Sequence, residues 1–373
     1  MTLRVLLVAG EASGDLHGAA LVRALRKRVP DLDVAGVGGP QLRAAGMRTL
    51  VDTAHVSTMG FVETFGTLGR LLRTYRGLVR RLDAERPDLV VLIDYPEFNL
   101  ALAKQARKRR IPVFYFIGPQ VWAWRQGRVR TIAERVDKLG VVFPFEPALY
   151  NEGGRQLAEF IGHPLLDVVR ASRGRAETRT RHGLDPERPL LALLPGSRKK
   201  ELQALVRPMC AAALALRAEG WQAVLALAEA LTEDDLRDAL DGEPLPVPVA
   251  HADTYNVVAA ADAAIVASGT ATLETALLGC PMVIVYRVAP LTFWLARRLV
   301  KVNWIGMPNI ILQRGVFPEL IQGDATAEAM ADAVRGVRAR APEMTTALHE
   351  LRARLGTPGA AERAADLALG LVR

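Results

Sequence analysis

A chain of 373 residues is long for one domain and comfortable for two, and half of it is hydrophobic, which excludes a disordered polymer. No apolar run reaches the roughly 18 residues of a spanning helix, and the short apolar start, broken by Glu11 and Asp15, reads as a strand and not as a secretory leader. The formal net charge of +8 is carried largely by arginine; it suits phosphate-bearing partners or a compositional bias, and charge alone does not choose between them.

The stretch "LLVAGEASGDLHGAALVRALRKR" (6–28) reads as strand, glycine-rich turn and helix. Its glycines, Gly10, Gly14 and Gly18, are each four apart, so G-x-G-x-x-G is absent, and Glu11 and Asp15 would repel a pyrophosphate. "DVAGVGG" is the next strand candidate. The helix that follows places Phe65, Leu68, Leu72, Tyr75, Val79 and Leu82 on one face, with Arg70, Arg73, Arg76, Arg80 and Arg81 over much of the rest. It either covers a sheet or touches an anionic membrane surface.

"DLVVLIDYPEFN" sets Asp94 at the end of a buried strand, where partial desolvation suits a general base; the bland reading is a helix cap. "PVFYFIG" leads into "GPQVWAWRQGRVR", where Trp122 and Trp124 can stack on a sugar or plug the core, and Arg125, Arg128 and Arg130 can hold phosphate. "KLGVVFP" follows. A break between domains falls near "EFIGHPLLDVV" (159–169), ahead of a charged stretch.

A second series of strands then begins: "LLALLPGS", "WQAVLALA", "PVPVAH", "AAIVASG" and "PMVIVYR". After the first of these, Pro195, Gly196 and Ser197 open a helix. With Arg198, its backbone N–H groups make a diphosphate site that lacks the Walker pattern. Ser268, Gly269 and Thr270 repeat the arrangement, and Glu274, one turn on, can bind ribose hydroxyls or merely sit near the helix dipole. "LTFWLARRLVKVNW" (291–304) is a second basic and aromatic stretch, and the tail from about 325 reads as helices. The six histidines show no metal-ligand spacing; Cys210 and Cys280 match no zinc or redox pattern and are expected to be reduced, packed thiols. No nucleic-acid module is recognisable.

Apolar strands alternating with helices, in two series, indicate two Rossmann-like parallel-sheet domains. Loops at the carboxyl ends of such strands carry function.

Together, "GEASGD", "IDYPEFN", "VWAWRQGR", "IGHP", "LLPGSR", "ASGTATLE", "TFWLARRLVK" and "PNIILQ" resemble the lipid-A-disaccharide synthase family, from about residue 4 to the C-terminal helices. The resemblance implies an α/β GT-B fold, two facing Rossmann-like domains with a cleft between them. The expected division is 1–165 for the acceptor domain, 166–340 for the UDP-sugar donor domain, and 341–373 for C-terminal helices free to pack back on the first domain. It implies inverting, metal-independent and cofactor-free transfer of diacylglucosamine from UDP to diacylglucosamine 1-phosphate. The place of work would be the inner face of the cytoplasmic membrane, peripherally attached. Oligomeric assembly is left open.

By the same resemblance Asp94 is the catalytic base and Arg198 stabilises the departing UDP. Ser197, Ser268, Gly269, Thr270, Glu274 and Asn309 bind the donor, and Glu11, Ser13, Asp15, Trp124 and Arg125 line the acceptor side. Gly118 stands where a serine is expected, and the segment after "WQAVLALAEAL" is short, leaving the donor pocket around 228–255 undefined. Two other readings are another UDP-sugar GT-B enzyme, either a lipid-linked N-acetylglucosaminyltransferase or a UDP-N-acetylglucosamine 2-epimerase, and a non-catalytic UDP-sugar or lipid-binding protein.

Overall fold

The computed structural model describes residues 2–53, 65–122, 127–151, 154–289, 293 and 303–372. The chain divides into two compact units, Met1–Asp167 with Leu355–Arg373, and Val168–Arg354. Each is built on one parallel sheet.

The first sheet contains β1 (Leu3–Ala9), β2 (Leu32–Gly38), β3 (Arg48–Asp52), β4 (Leu89–Ile93), β5 (Val113–Phe116), β6 (Lys138–Val141) and β7 (Ala158–Phe160), in the order β3-β2-β1-β4-β5-β6-β7. The second contains β8 (Leu190–Leu194), β9 (Gln222–Leu227), β10 (Val249–His251), β11 (Ala263–Ala267), β12 (Met282–Tyr286) and β13 (Glu319–Ile321), in the order β10-β9-β8-β11-β12-β13. All pairings are parallel. The central strands are continuous runs of Val, Leu, Ile and Ala because helices shield both faces: all five residues of β4, β8 and β11 are buried. Cys210 and Cys280 are buried and free, and burial pushes their thiols up to about 11 and about 12.

Every apolar run read from the sequence is a strand. The sheets also contain β3, β7 and β13, which are short edge strands with half-exposed residues and hence no continuous apolar signal. Helix Ala341–Arg354 belongs to the second unit, while Ala360–Leu369 packs in the first, against helix Ala12–Arg28. Arg28 reaches Asp366 at 2.6 Å there, and the Gly359 N–H donates to Asp167 at 2.7 Å.

In each sheet the strand order reverses once near the middle, between β1 and β4 in the first and between β8 and β11 in the second. In an open parallel sheet the two loops leaving such a pair of strands diverge and leave a crevice between them. The segments leaving these strands carry Glu11, Ser13 and Asp94 in the first unit and Ser197, Arg198, Ser268, Gly269 and Thr270 in the second.

Candidate functional site

In the first unit the reversal is flanked by the Gly10–Glu11 turn after β1, which leads into helix Ala12–Arg28, and the Asp94–Tyr95 turn after β4. Asp94 and Tyr95 both adopt the left-handed backbone region, at φ of 52° and 49°. Two such non-glycine residues in succession are costly, so the surroundings must hold them. The Asp94 carbonyl accepts from Asn99 Nδ2 at 2.7 Å and from the buried Tyr115 hydroxyl, and Asn99 also donates to the Ile93 carbonyl at 3.0 Å. Neither Asn99 nor Tyr115 carries a local sequence signal for this role. Asn99 was visible as the last letter of "IDYPEFN", but nothing local says that it folds back on the turn.

The glycines of the opening turn serve this packing. A Cβ on Gly10 would lie 2.6 Å from Tyr95 Cβ, and one on Gly14 would lie 3.1 Å from Asp94 Oδ2. Their spacing thus makes room for the neighbouring strand's turn. Ser13 Oγ donates to Asp94 Oδ2 at 3.4 Å. Burial first, then the Glu11 carboxylate, push the Asp94 carboxyl up to about 6, against the pull of Ser13. Glu11 is exposed at the start of helix Ala12–Arg28. Asp15, by contrast, is buried, and its carboxylate accepts from the N–H groups of Gly39 (2.7 Å), Gln41 (2.9 Å) and Leu42 (3.1 Å). It pins the turn after β2 and does not present its oxygens at the surface.

Trp124 and Arg125 lie outside the described residues, as does most of 291–304. Trp122 sits edge-on to Phe143 and Phe145, with ring centroids 5.9 and 5.3 Å away, so it follows the core reading. Arg128 is paired with Glu97. At Gly118 a Cβ would come within 2.8 Å of Leu139 Cδ1, so a serine there would require that leucine side chain to shift.

In the second unit a cavity of about 710 Å³ opens at the reversal. Its walls include Ser197 and Arg198 after β8, Ser268, Gly269 and Thr270 after β11, and Glu274. At 300–1,000 Å³, a typical range for ligand sites, it has room for a nucleotide. Gly196 turns the chain in the left-handed region (φ 109°), and Ser197 and Arg198 are exposed. Ser268 Oγ donates to the Ile305 carbonyl at 3.1 Å. Glu274 Oε1 accepts from the Tyr255 hydroxyl at 2.8 Å, and burial raises the Glu274 carboxyl while this bond lowers it.

The part of the lining left undefined by the sequence includes Asp253, Tyr255 and Asn256. Asp253 binds Asn256 Nδ2 at 2.7 Å, His182 Nε2 at 2.8 Å and the Arg173 guanidinium. Burial acts to raise its carboxyl, but these three partners together bring it below the ordinary carboxylate range.

Asn309 is fully buried. Its Nδ2 donates to the Phe317 carbonyl and Glu319 Oε1, both at 2.8 Å, and its Oδ1 accepts from Val316 and Phe317 N–H, both at 3.0 Å. All four hydrogen-bonding positions of the amide are used, so Asn309 shapes the loop before β13 rather than offering donors to a ligand.

Residues 5–346 match the family model described as lipid-A-disaccharide synthetase. The chain is 47% identical to the lipid-A-disaccharide synthase of Syntrophus aciditrophicus, covering 99% of this chain and 98% of that one. It is 43% identical to that of Geobacter sulfurreducens, covering 99% and 97%. Among solved structures, a calicheamicin glycosyltransferase superposes with a TM-score of 0.65 at 16% identity, over 100% of this chain and 98% of that one. That last likeness speaks for the GT-B fold alone.

Proposed function

The chain belongs to the lipid-A-disaccharide synthetase family and is a glycosyltransferase of lipid A biosynthesis, and from that premise we propose how its residues divide the reaction. The donor is a UDP-linked diacylglucosamine and the acceptor a diacylglucosamine 1-phosphate. Asp94 takes the proton from the acceptor 6-hydroxyl while that oxygen forms its bond to the donor's anomeric carbon. The bond from that carbon to the phosphate oxygen breaks, and its electron pair leaves with UDP. Attack opposite the leaving group inverts the anomeric centre.

The observation that carries this reading is Asp94 itself. Its carboxyl is raised to about 6, so at neutral pH it is ionised yet close enough in affinity to accept a proton. Glu11 and Ser13, beside it, bind acceptor hydroxyls, a role shared by Trp124 and Arg125, while Asp15 holds the turn after β2. Arg198 meets the charge developing on the diphosphate, with Ser197 and the Ser268–Thr270 turn as further donors. Glu274, aligned by Tyr255, takes the ribose hydroxyls, and Asn309 keeps the loop in place.

Mass spectrometry of the product from synthetic diacylated donor and acceptor tests the reading. A tetra-acylated disaccharide phosphate is expected; turnover of UDP-N-acetylglucosamine alone would defeat it.

Both substrates carry acyl chains, so the enzyme has to meet a membrane. No helix among the described residues is long and apolar enough to cross one. Helix Phe65–Ala84 exposes Arg70, Arg73, Arg76 and Arg80 together with Leu72, the arrangement of a helix lying on an anionic surface. Replacing Arg70, Arg73 and Arg76 with Glu should reduce co-sedimentation with anionic vesicles, and unchanged binding would return the helix to sheet cover.

A further inference from the structure

The turn assigned above to the donor diphosphate already holds an anion, and it belongs to the chain. The Glu201 carboxylate accepts from the Ser197 N–H at 3.0 Å, from the Arg198 N–H at 3.3 Å and from the Arg198 guanidinium at 2.9 Å. It lies directly over Gly196, where a Cβ would meet Glu201 Oε2 at 2.4 Å. The Arg198 side chain is otherwise 82% exposed. A glutamate at the third position of helix Lys199–Arg217 commonly reaches back to one backbone N–H, and that part is an ordinary capping box. Here the same carboxylate also engages a second N–H and the guanidinium, the set of donors that a phosphate would use.

We propose that Glu201 is an internal stand-in for the donor phosphates. It keeps the Pro195–Arg198 turn folded around an anion when the pocket is empty, and it yields Arg198 and at least one N–H as the diphosphate enters. The inference rests on the assignment of this pocket to UDP. Competition of this kind weakens the hold on the nucleotide and so favours release of UDP after transfer. Glu201 is therefore a positioning residue that sets how tightly product is kept.

The physical consequence is a sign. Removing a mere cap weakens the local structure and leaves nucleotide binding equal or poorer. Removing a competitor strengthens binding of ligands that carry phosphate and leaves the nucleoside alone.

The test uses the full chain and its Glu201→Gln variant, whose side-chain oxygen can still accept from the Ser197 N–H. UDP affinity is measured by calorimetry, and UDP and uridine are compared as inhibitors of transfer. A charge competing for these donors should, once removed, tighten UDP by roughly 3- to 10-fold, with uridine inhibition unchanged and kcat lowered where UDP release limits turnover. Melting temperature checks that the variant is folded, and Glu201→Asp, which keeps the charge, should bring UDP affinity back toward wild type. If wild type binds UDP and a folded Glu201→Gln binds it no tighter, the stand-in is refuted while the pocket assignment survives. If wild type does not bind UDP, both are overturned.

Discussion

The two sheets are arranged alike about their reversal points, β3-β2-β1-β4-β5 in one and β10-β9-β8-β11-β12 in the other, yet the loops there have opposite chemical character. The first holds carboxylates, Asp94 and Glu11, around a strained turn with a raised carboxyl. The second holds backbone N–H groups, hydroxyls and Arg198 around a cavity, with its own carboxylate Glu201 drawn in. One topology thus provides two differently lined places, and on the proposed division of the reaction the loop residues suit one to a proton and the other to an anion.

The largest test of that division is at Asp94. Asp94→Asn should lower kcat by about 100-fold or more, the scale of lost general-base catalysis. The acidic limb of the kcat/KM profile, expected near pH 6 in the wild type because the carboxyl is raised, should vanish with it. The variant deletes a half-buried charge whose ionised form the fold disfavours, so its melting temperature at pH 8 should be no lower than wild type. A near-normal rate would remove Asp94 as the base.

On the anion side, Arg198→Ala should lower kcat by about 30- to 100-fold through lost stabilisation of the leaving diphosphate. Stability should barely move, since the exposed ion pair to Glu201 is worth roughly 1 kcal/mol at most. A pure rise in KM would instead make Arg198 a ground-state binder.

Glu274→Gln should act more gently. It keeps an acceptor for the Tyr255 hydroxyl but loses the charge, and donor KM should rise about tenfold with kcat little changed, the scale of one charge-assisted hydrogen bond. An unchanged KM for the donor would return Glu274 to its bland reading near the helix dipole.

These sites differ in how much of them the sequence displayed. Central strands announce themselves, because both faces are covered and the apolar run is unbroken; the edge strands β3, β7 and β13 do not. Asp94, Ser197, Arg198, Ser268 and Glu274 were legible because strand–turn–helix junctions mark strand ends. What was not legible is which polar groups are already spoken for. Asp15 and Asn309 look like ligand residues in a string, but three backbone N–H groups occupy the one and a complete set of four bonds the other. Tyr115 and Asn99, which hold the Asp94 turn, and Tyr255, which aligns Glu274, act across distances in sequence that no local pattern encodes.

The contrast extends to carboxylates away from the two turns, where the effect is smallest but its sign is informative. Glu146 is buried in the first unit, accepting from Val142 N–H at 3.1 Å and Phe143 N–H at 2.9 Å, and burial pushes its carboxyl up to about 7 against those bonds. In the second unit Asp253 is brought down by Asn256, His182 and Arg173 despite its burial. A carboxyl whose folded value lies above its unfolded one binds more protons in the native state, so Glu146 makes stability fall as pH rises from about 4.5 to about 7. Asp253 acts in reverse, contributing stability above its unfolded value and losing it only in acid. Between pH 6 and pH 8 the Glu146 effect amounts to about 1 kcal/mol, while Asp253 is silent there. Glu146→Gln retains an oxygen for both N–H donors, so it should flatten the loss of stability between these pH values, read from the midpoint of urea unfolding. If the variant's unfolding midpoint still falls with pH as steeply as wild type's, the charge at Glu146 is not what the first unit resists.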